Sequence, residues 1–131
     1  MSPNQPHVLV IDDNVANLEL ARFLLEEDGM CVDVATDPTE VAERLGAQKP
    51  DLILMDIQMP GRDGLSITRE LKSLTSTRDI VIVAFTAYAM TGDASKLLAA
   101  GCDAYISKPV DVKTFASTVR SHLRGIEERA Q

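Results

Sequence analysis

The sequence predicts an α/β fold built on a doubly wound parallel sheet, and three observations lead there. Short apolar runs alternate with amphipathic helical stretches, the pattern of repeated βαβ units. Three of the runs, Val8-Leu9-Val10-Ile11, Leu52-Ile53-Leu54-Met55 and Ile80-Val81-Ile82-Val83-Ala84-Phe85, are apolar throughout, as strands covered on both faces must be. Four runs end on a chemically capable residue: the first on Asp12-Asp13, the third on Asp56, the fourth on Thr86, and Ala104-Tyr105-Ile106-Ser107 on Lys108-Pro109. In a parallel sheet all four endings meet at the carboxyl edge, where open α/β sheets bind ligands.

The elements follow in order. The first helix is predicted from about Asn14 to Asp28, stopping at Gly29, a good C-cap residue. Leu20, Ala21, Leu24 and Leu25 are placed on its apolar face, with Glu19, Arg22 and Glu26 opposite. Asn17 falls within the apolar face, one turn from the acidic pair, either aimed toward the site or making a plain structural contact. The second strand, near Cys31 to Ala35, alternates apolar and polar, as an edge strand does. Asp37-Pro38 opens the second helix as N-cap and N1, and the helix runs to about Ala47. The third helix is placed near Gly64 to Leu74 and the fourth near Thr91 to Ala100, before Gly101. Asp111 caps a fifth helix from Val112 to about Arg124. With the first, third and fourth strands buried and the other two at the edges, the strand order is 2-1-3-4-5, flavodoxin-like, with five helices. The switch point lies between the first and third strands, where Asp12, Asp13 and Asp56 would sit.

Composition narrows the function. The 131 residues suit one domain, taken as 8–124 between an N-terminal tail (1–7) and a C-terminal tail or truncated linker (125–131). A net charge of −7 argues against a nucleic-acid partner, since phosphate backbones are gripped by clustered Lys and Arg. Arg120, His122 and Arg124 are read as a mild basic patch that suits a helix C-terminus. No apolar run approaches the ~20 residues that span a bilayer, and Met1 to His7 has no signal-peptide pattern. Cys31 and Cys102 read as two reduced, packed thiols, with a disulfide or metal pair as the alternative, and the protein is placed in the cytoplasm. His7 is read as an exposed tail residue before the first strand.

The converging residues have a definite chemistry. Three carboxylates brought together repel one another, and a hard divalent cation removes that cost. Mg²⁺ takes oxygen ligands, often alongside phosphate oxygens. Asp12, Asp13 and Asp56 supply such ligands. Lys108 adds a charge suited to a phosphoryl oxygen, and Thr86 a hydroxyl donor. An aspartate is a competent nucleophile toward phosphorus. The parts fit phosphoryl transfer, in which positioning and charge neutralisation do most of the work. Each part also has a plainer reading: Asp12-Asp13-Asn14 as a helix cap, Asp56 and Thr86 as turn residues, Lys108 as a surface lysine, Tyr105 as edge-strand packing.

At Val10-Ile11-Asp12-Asp13-Asn14, Met55-Asp56-Ile57-Gln58-Met59-Pro60-Gly61 with Asp63-Gly64, Thr86-Ala87 and Tyr105-Ile106-Ser107-Lys108-Pro109, the chain resembles the receiver domain of two-component response regulators. Each motif alone is weak, but in this order and spacing they are specific. The resemblance implies that Asp56 accepts a phosphoryl group from a histidine kinase or phosphotransfer protein. It implies that Asp13, Asp56 and the Gln58 backbone carbonyl ligate Mg²⁺, with Asp12 acting largely through water. It further implies that Lys108 binds the phosphoryl group, that the Lys108-Pro109 bond is cis, and that Thr86 and Tyr105 are the switch residues. The surface of the fourth helix, fifth strand and fifth helix would then exchange protein partners. Gln58 and Tyr88 would tune loss of the phosphoryl group. Arg62 stands where the family often carries an apolar residue.

The implied protein is a phosphorylation-controlled binding module, monomer or weak dimer, with a downstream protein target and no substrate beyond its own phosphorylation and dephosphorylation. The alternative from another class is a Mg²⁺-dependent aspartyl-phosphate phosphohydrolase. Phosphatases of that kind carry a second acid two residues beyond the nucleophile, and here that position is Gln58. A scaffold that is never phosphorylated is disfavoured by the intact set Asp13, Asp56, Thr86 and Lys108. A receiver cut from a hybrid kinase or larger regulator would read the same.

Overall fold

The computed structural model describes residues 5–37, 39–57, 64–86 and 94–130. Its elements are β1 (His7–Ile11), α1 (Val15–Glu27), β2 (Cys31–Ala35), α2 (Glu40–Ala47), β3 (Leu52–Asp56), α3 (Gly64–Ser73), β4 (Val81–Thr86), α4 (Ala94–Ala100), β5 (Ala104–Ser107) and α5 (Phe115–Ala130). All four strand pairings are parallel, and the order is β2-β1-β3-β4-β5. This is the predicted doubly wound sheet, with β1, β3 and β4 buried along their whole length.

Side chains alternate across the central strands and build one core on each face of the sheet. Val8, Val10, Leu52, Leu54, Val83 and Phe85 pack with Leu18, Ala21 and Leu25 of α1 and Phe115 and Val119 of α5. Leu9, Ile11, Ile53, Met55, Ile82 and Ala84 pack with Val41 of α2, Ile67 and Leu71 of α3, and Leu97 of α4. No helix among the described residues is long and apolar enough to cross a membrane.

Several local expectations are corrected. The buried stripe of α1 is Leu18, Ala21 and Leu25, whereas Leu20 is 38% exposed. Two residues along a helix is 200° of rotation, so Leu20 cannot share a face with Leu18. His7 is not a tail residue: it opens β1, is buried, and its Nε2 lies 2.9 Å from Asp33 Oδ2. Its backbone N–H donates to Asp51 Oδ2 at 2.9 Å, which ties β1 to the start of β3.

Regular α2 begins at Glu40. The Asp37 carboxylate still accepts from Thr39 N at 2.8 Å, as an N-cap side chain does, while Pro38 lies outside the described residues. Those two hydrogen bonds, from Thr39 N and the Thr39 hydroxyl, hold the Asp37 carboxyl below its usual range. Similarly, Asp111 makes a capping turn, accepting from Lys113 N at 3.0 Å and, through its carbonyl, from Phe115 N at 2.9 Å. Regular α5 therefore starts at Phe115, and it continues to Ala130, beyond the Arg124 end expected from sequence. Arg120 belongs less to a basic patch than to a clamp, because its Nε lies 2.7 Å from Asp28 Oδ2 at the end of α1. Cys31 and Cys102 do not form a disulfide with each other; burial pushes the Cys102 thiol above its ordinary value, partly offset by a hydrogen bond involving Thr68.

Candidate phosphoryl-transfer site

Parallel pairing carries four strand endings to one edge. Ile11 pairs with Met55, Asp56 with Phe85, and Thr86 with Ser107, so each capable residue sits at or just past the end of its strand. The backbone N–H of Lys108 donates to the Thr86 carbonyl at 2.9 Å, extending the β4–β5 ladder by one step and setting Lys108 beside Thr86. The Lys108-Pro109 peptide is cis.

Asp12, Asp13, Asn14, Asn17, Asp56, Thr86 and Lys108 line a crevice of about 210 Å³. Asp12 is fully buried, Asp56 is 3% exposed and Thr86 4% exposed, whereas Asp13 stands at the solvent side. Asn14 is the N-cap of α1, its side chain accepting from Asn17 N at 3.0 Å. Asp12 Oδ1 accepts from Asn14 N at 2.9 Å. The helix cap and one wall of the acidic site are thus built from a single short stretch, Asp12 to Asn14. Asn17, predicted inside the apolar face, lines the crevice one turn on.

Charge in the crevice is tightly arranged. One oxygen from each of Asp12, Asp13 and Asp56 can be chosen so that all lie within 4.8 Å of one another. Lys108 Nζ sits 3.1 Å from Asp12 Oδ2 and 3.4 Å from Asp56 Oδ1. Asp12 Oδ2 is buried and, despite that ion-pair contact, has no aligned hydrogen bond. One ammonium offsets part of the repulsion among three carboxylates. An all-oxygen, acidic set with a buried carboxylate oxygen short of partners fits a hard cation such as Mg²⁺.

Five of the predicted site residues, Asp12, Asp13, Asp56, Thr86 and Lys108, therefore meet. Tyr105 does not line the crevice; it lies on the neighbouring edge strand, 42% exposed. The Gln58 carbonyl lies outside the described residues, as do Met59-Pro60-Gly61, Arg62, Asp63, Ala87 and Tyr88.

Two further residues shape the site in ways the motifs do not reveal. Gly64 donates its N–H to the Ile57 carbonyl at 3.0 Å. A Cβ there would collide with the Asp56 carbonyl oxygen and stand 2.9 Å from Ile57 Cα, so only glycine lets α3 start against the end of β3. Phe85 is the second: its ring lies under the Lys108 ammonium, 4.9 Å from Nζ to centroid. The sequence signal for Gly64 is a glycine opening a helix; for Phe85 there is none beyond strand hydrophobicity.

Comparison with known proteins agrees with this geometry. Residues 8–120 match the family model described as "Response regulator receiver domain". The chain is similar to the polar-differentiation response regulator DivK of Brucella anthropi, 40% identical over 116 residues covering 88% of this chain and 94% of that one. Among solved structures it is similar to a CheY-like response regulator receiver domain protein from Methanospirillum hungatei, with 26% identity, a TM-score of 0.85, and 96% and 99% of the two chains covered. The signal receiver domain of a histidine kinase from Syntrophus aciditrophicus is also similar, at 30% identity and a TM-score of 0.81, covering 92% of this chain and 91% of that one.

Proposed function

Because the chain belongs to the response regulator receiver domain family, we propose that Asp56 accepts a phosphoryl group from the phosphohistidine of a histidine kinase or phosphotransfer protein. A carboxylate oxygen of Asp56 forms the new bond to phosphorus. The phosphorus–nitrogen bond breaks, and its electron pair returns to the imidazole. The observation that carries this reading is the convergence of Asp12, Asp13 and Asp56 beside Lys108 at the carboxyl edge of the sheet.

Each residue has a role that follows from its place. Asp56 is the acceptor at the end of β3. Asp13, Asp56 and the Gln58 carbonyl would hold Mg²⁺, with Asp12 contributing largely through water. When bound, the ion supplies charge neutralisation for the phosphoryl oxygens. Lys108 donates to one phosphoryl oxygen and Thr86 to another. Charge-assisted hydrogen bonds of this type stabilise one conformation over another by a few kcal/mol together, enough to move a two-state equilibrium. Tyr105, exposed on β5, turns inward as Thr86 moves, and the face made by α4, β5 and α5 exchanges its protein partners. The receiver unit is 8–124, although α5 itself continues past that boundary. The DivK relatives, named as response regulators, support a receiver acting on a downstream protein; the kinase receiver from Syntrophus supports the same unit serving inside a larger protein.

Incubation with Mg²⁺ and acetyl phosphate, followed by intact mass, tests the proposal. One phosphoryl group, about 80 Da, is expected. Asp56→Asn and removal of Mg²⁺ by chelation each abolish it. Modification at another residue, or none with any donor, overturns the assignment. Steady turnover of small phosphoesters would instead favour a phosphohydrolase.

A further inference from the structure

We infer that Phe85 is a positioning residue for Lys108: its ring seats the ammonium between Asp12 and Asp56 and, through Lys108, sets the rate of phosphorylation at Asp56. The inference rests on the function proposed above.

The geometry is a three-sided seat. Lys108 Nζ is 3.1 Å from Asp12 Oδ2, 3.4 Å from Asp56 Oδ1 and 4.9 Å from the centroid of the Phe85 ring. The lysine side chain is 19% exposed, so most of its water is already gone and the remaining contacts decide its position. Phe85 is fully buried and is backed by Phe115 of α5, with ring centroids 5.9 Å apart and planes tilted by 39°. The ring cannot retreat from the lysine without repacking α5. The peptide of Lys108 is itself fixed to β4 through the Thr86 carbonyl, one residue from Phe85.

An aromatic face has a property that an aliphatic side chain lacks here. It attracts the cation through its quadrupole. It does so without accepting a strong hydrogen bond, so the ammonium protons stay available to oxygen atoms. The ring holds the charge near the acceptor yet leaves it able to pass from a carboxylate to an arriving phosphoryl oxygen. A leucine would fill most of the space but leave the lysine held only by its two carboxylate contacts, without the attraction of the ring.

The test uses the full chain and two readouts. First, the Lys108 side-chain methylene resonances, assigned by their loss in Lys108→Ala, are expected upfield of those of other lysines because of the ring current, and to return to ordinary positions in Phe85→Leu. Second, phosphorylation by acetyl phosphate with Mg²⁺ is expected to slow about three- to tenfold in Phe85→Leu, the size of one partly desolvated cation–π contact. Trifluorophenylalanine at position 85, nearly the same volume with a weakened π face, is expected to slow it in the same direction, and covers the case in which Phe85→Leu fails to fold. In a Lys108→Ala background neither change at position 85 should alter the residual rate. An ordinary Lys108 resonance in the unmodified protein overturns the proposal. So does a rate loss that persists undiminished without Lys108, since Phe85 would then act by packing alone. A protein that accepts no phosphoryl group at all overturns the function above and with it any effect of Phe85 on rate, while the lysine resonance still decides whether the ring seats the ammonium.

Discussion

At the amino edge of the sheet, Lys72 Nζ lies 2.8 Å from Asp103 Oδ2 and donates to the carbonyls of Ile80 at 2.8 Å and Arg78 at 3.2 Å. Asp103 in turn accepts from Ile82 N at 2.9 Å. His7 and Asp33 close the other side of that edge at 2.9 Å. At the carboxyl edge the same kinds of group are arranged differently: three carboxylates lie close together, two of them 3.1 and 3.4 Å from one ammonium, and a buried oxygen of Asp12 lacks an aligned donor. Apart from His7 Nδ1, which is buried without a hydrogen-bond partner, the amino edge pairs its charges locally and so stabilises the fold. The other keeps like charges close and answers to what binds there. Residues that break the rules of a stable interior gather where function is expected.

Single substitutions separate the roles of the two edges. Lys72→Met strips Asp103 of its cation and leaves backbone carbonyls without their donor. For groups about a quarter exposed this should cost about 1.5–3 kcal/mol in urea unfolding. Phosphorylation of Asp56 should stay within about twofold, because an edge that only stabilises does not touch the chemistry. A variant with unchanged stability, or one with lost phosphorylation, would erase the distinction between the edges.

A smaller effect of opposite sign is expected across the sheet. Asp13→Asn removes one of three like charges, so without Mg²⁺ the protein should gain about 0.5 kcal/mol. The additional stability that Mg²⁺ confers by binding the folded state should shrink in the same variant. Thermal melts with and without the ion measure both. A loss of stability in metal-free Asp13→Asn would mean that the acidic cluster is not under repulsion.

The smallest effect sharpens the picture near Asp103. Burial lowers the His122 imidazole below its ordinary value of 6.5, and Asp103 partly counters this. The unfolded chain therefore binds that proton more tightly than the folded one, and this part of the stability falls as pH drops through the unfolded histidine range. Urea midpoints between about pH 5 and 7.5 should decline toward acid, and His122→Asn should flatten the decline. A steeper decline in that variant would reverse the sign.

Much of this arrangement was legible in the chain. β1, β3 and β4 announce themselves because strands buried on both faces are apolar without interruption, and the residues at or just past their ends, Asp12, Asp56 and Thr86, mark the site. What was hidden depends on partners far away in sequence. His7 looks like a tail residue because the groups that bury it, Asp33 and Asp51, lie 26 and 44 positions on. Leu20 misled because a run of leucines in α1 fits more than one helical face. The fifth helix, expected to end near Arg124, continues to Ala130. Phe85 gave no signal of its own, since its contact with Lys108 exists only once β4 and β5 lie side by side.

The tight fit at Gly64 matters to anyone who remakes this protein. Gly46, in α2, has open space where a methyl group would go, whereas Gly64 has the backbone of Asp56 and Ile57. Saturation libraries should therefore tolerate almost any residue at the former and nothing but the native one at the latter. Labels, grafted peptides or reporter insertions near the acidic crevice are best placed to either side of that fixed point.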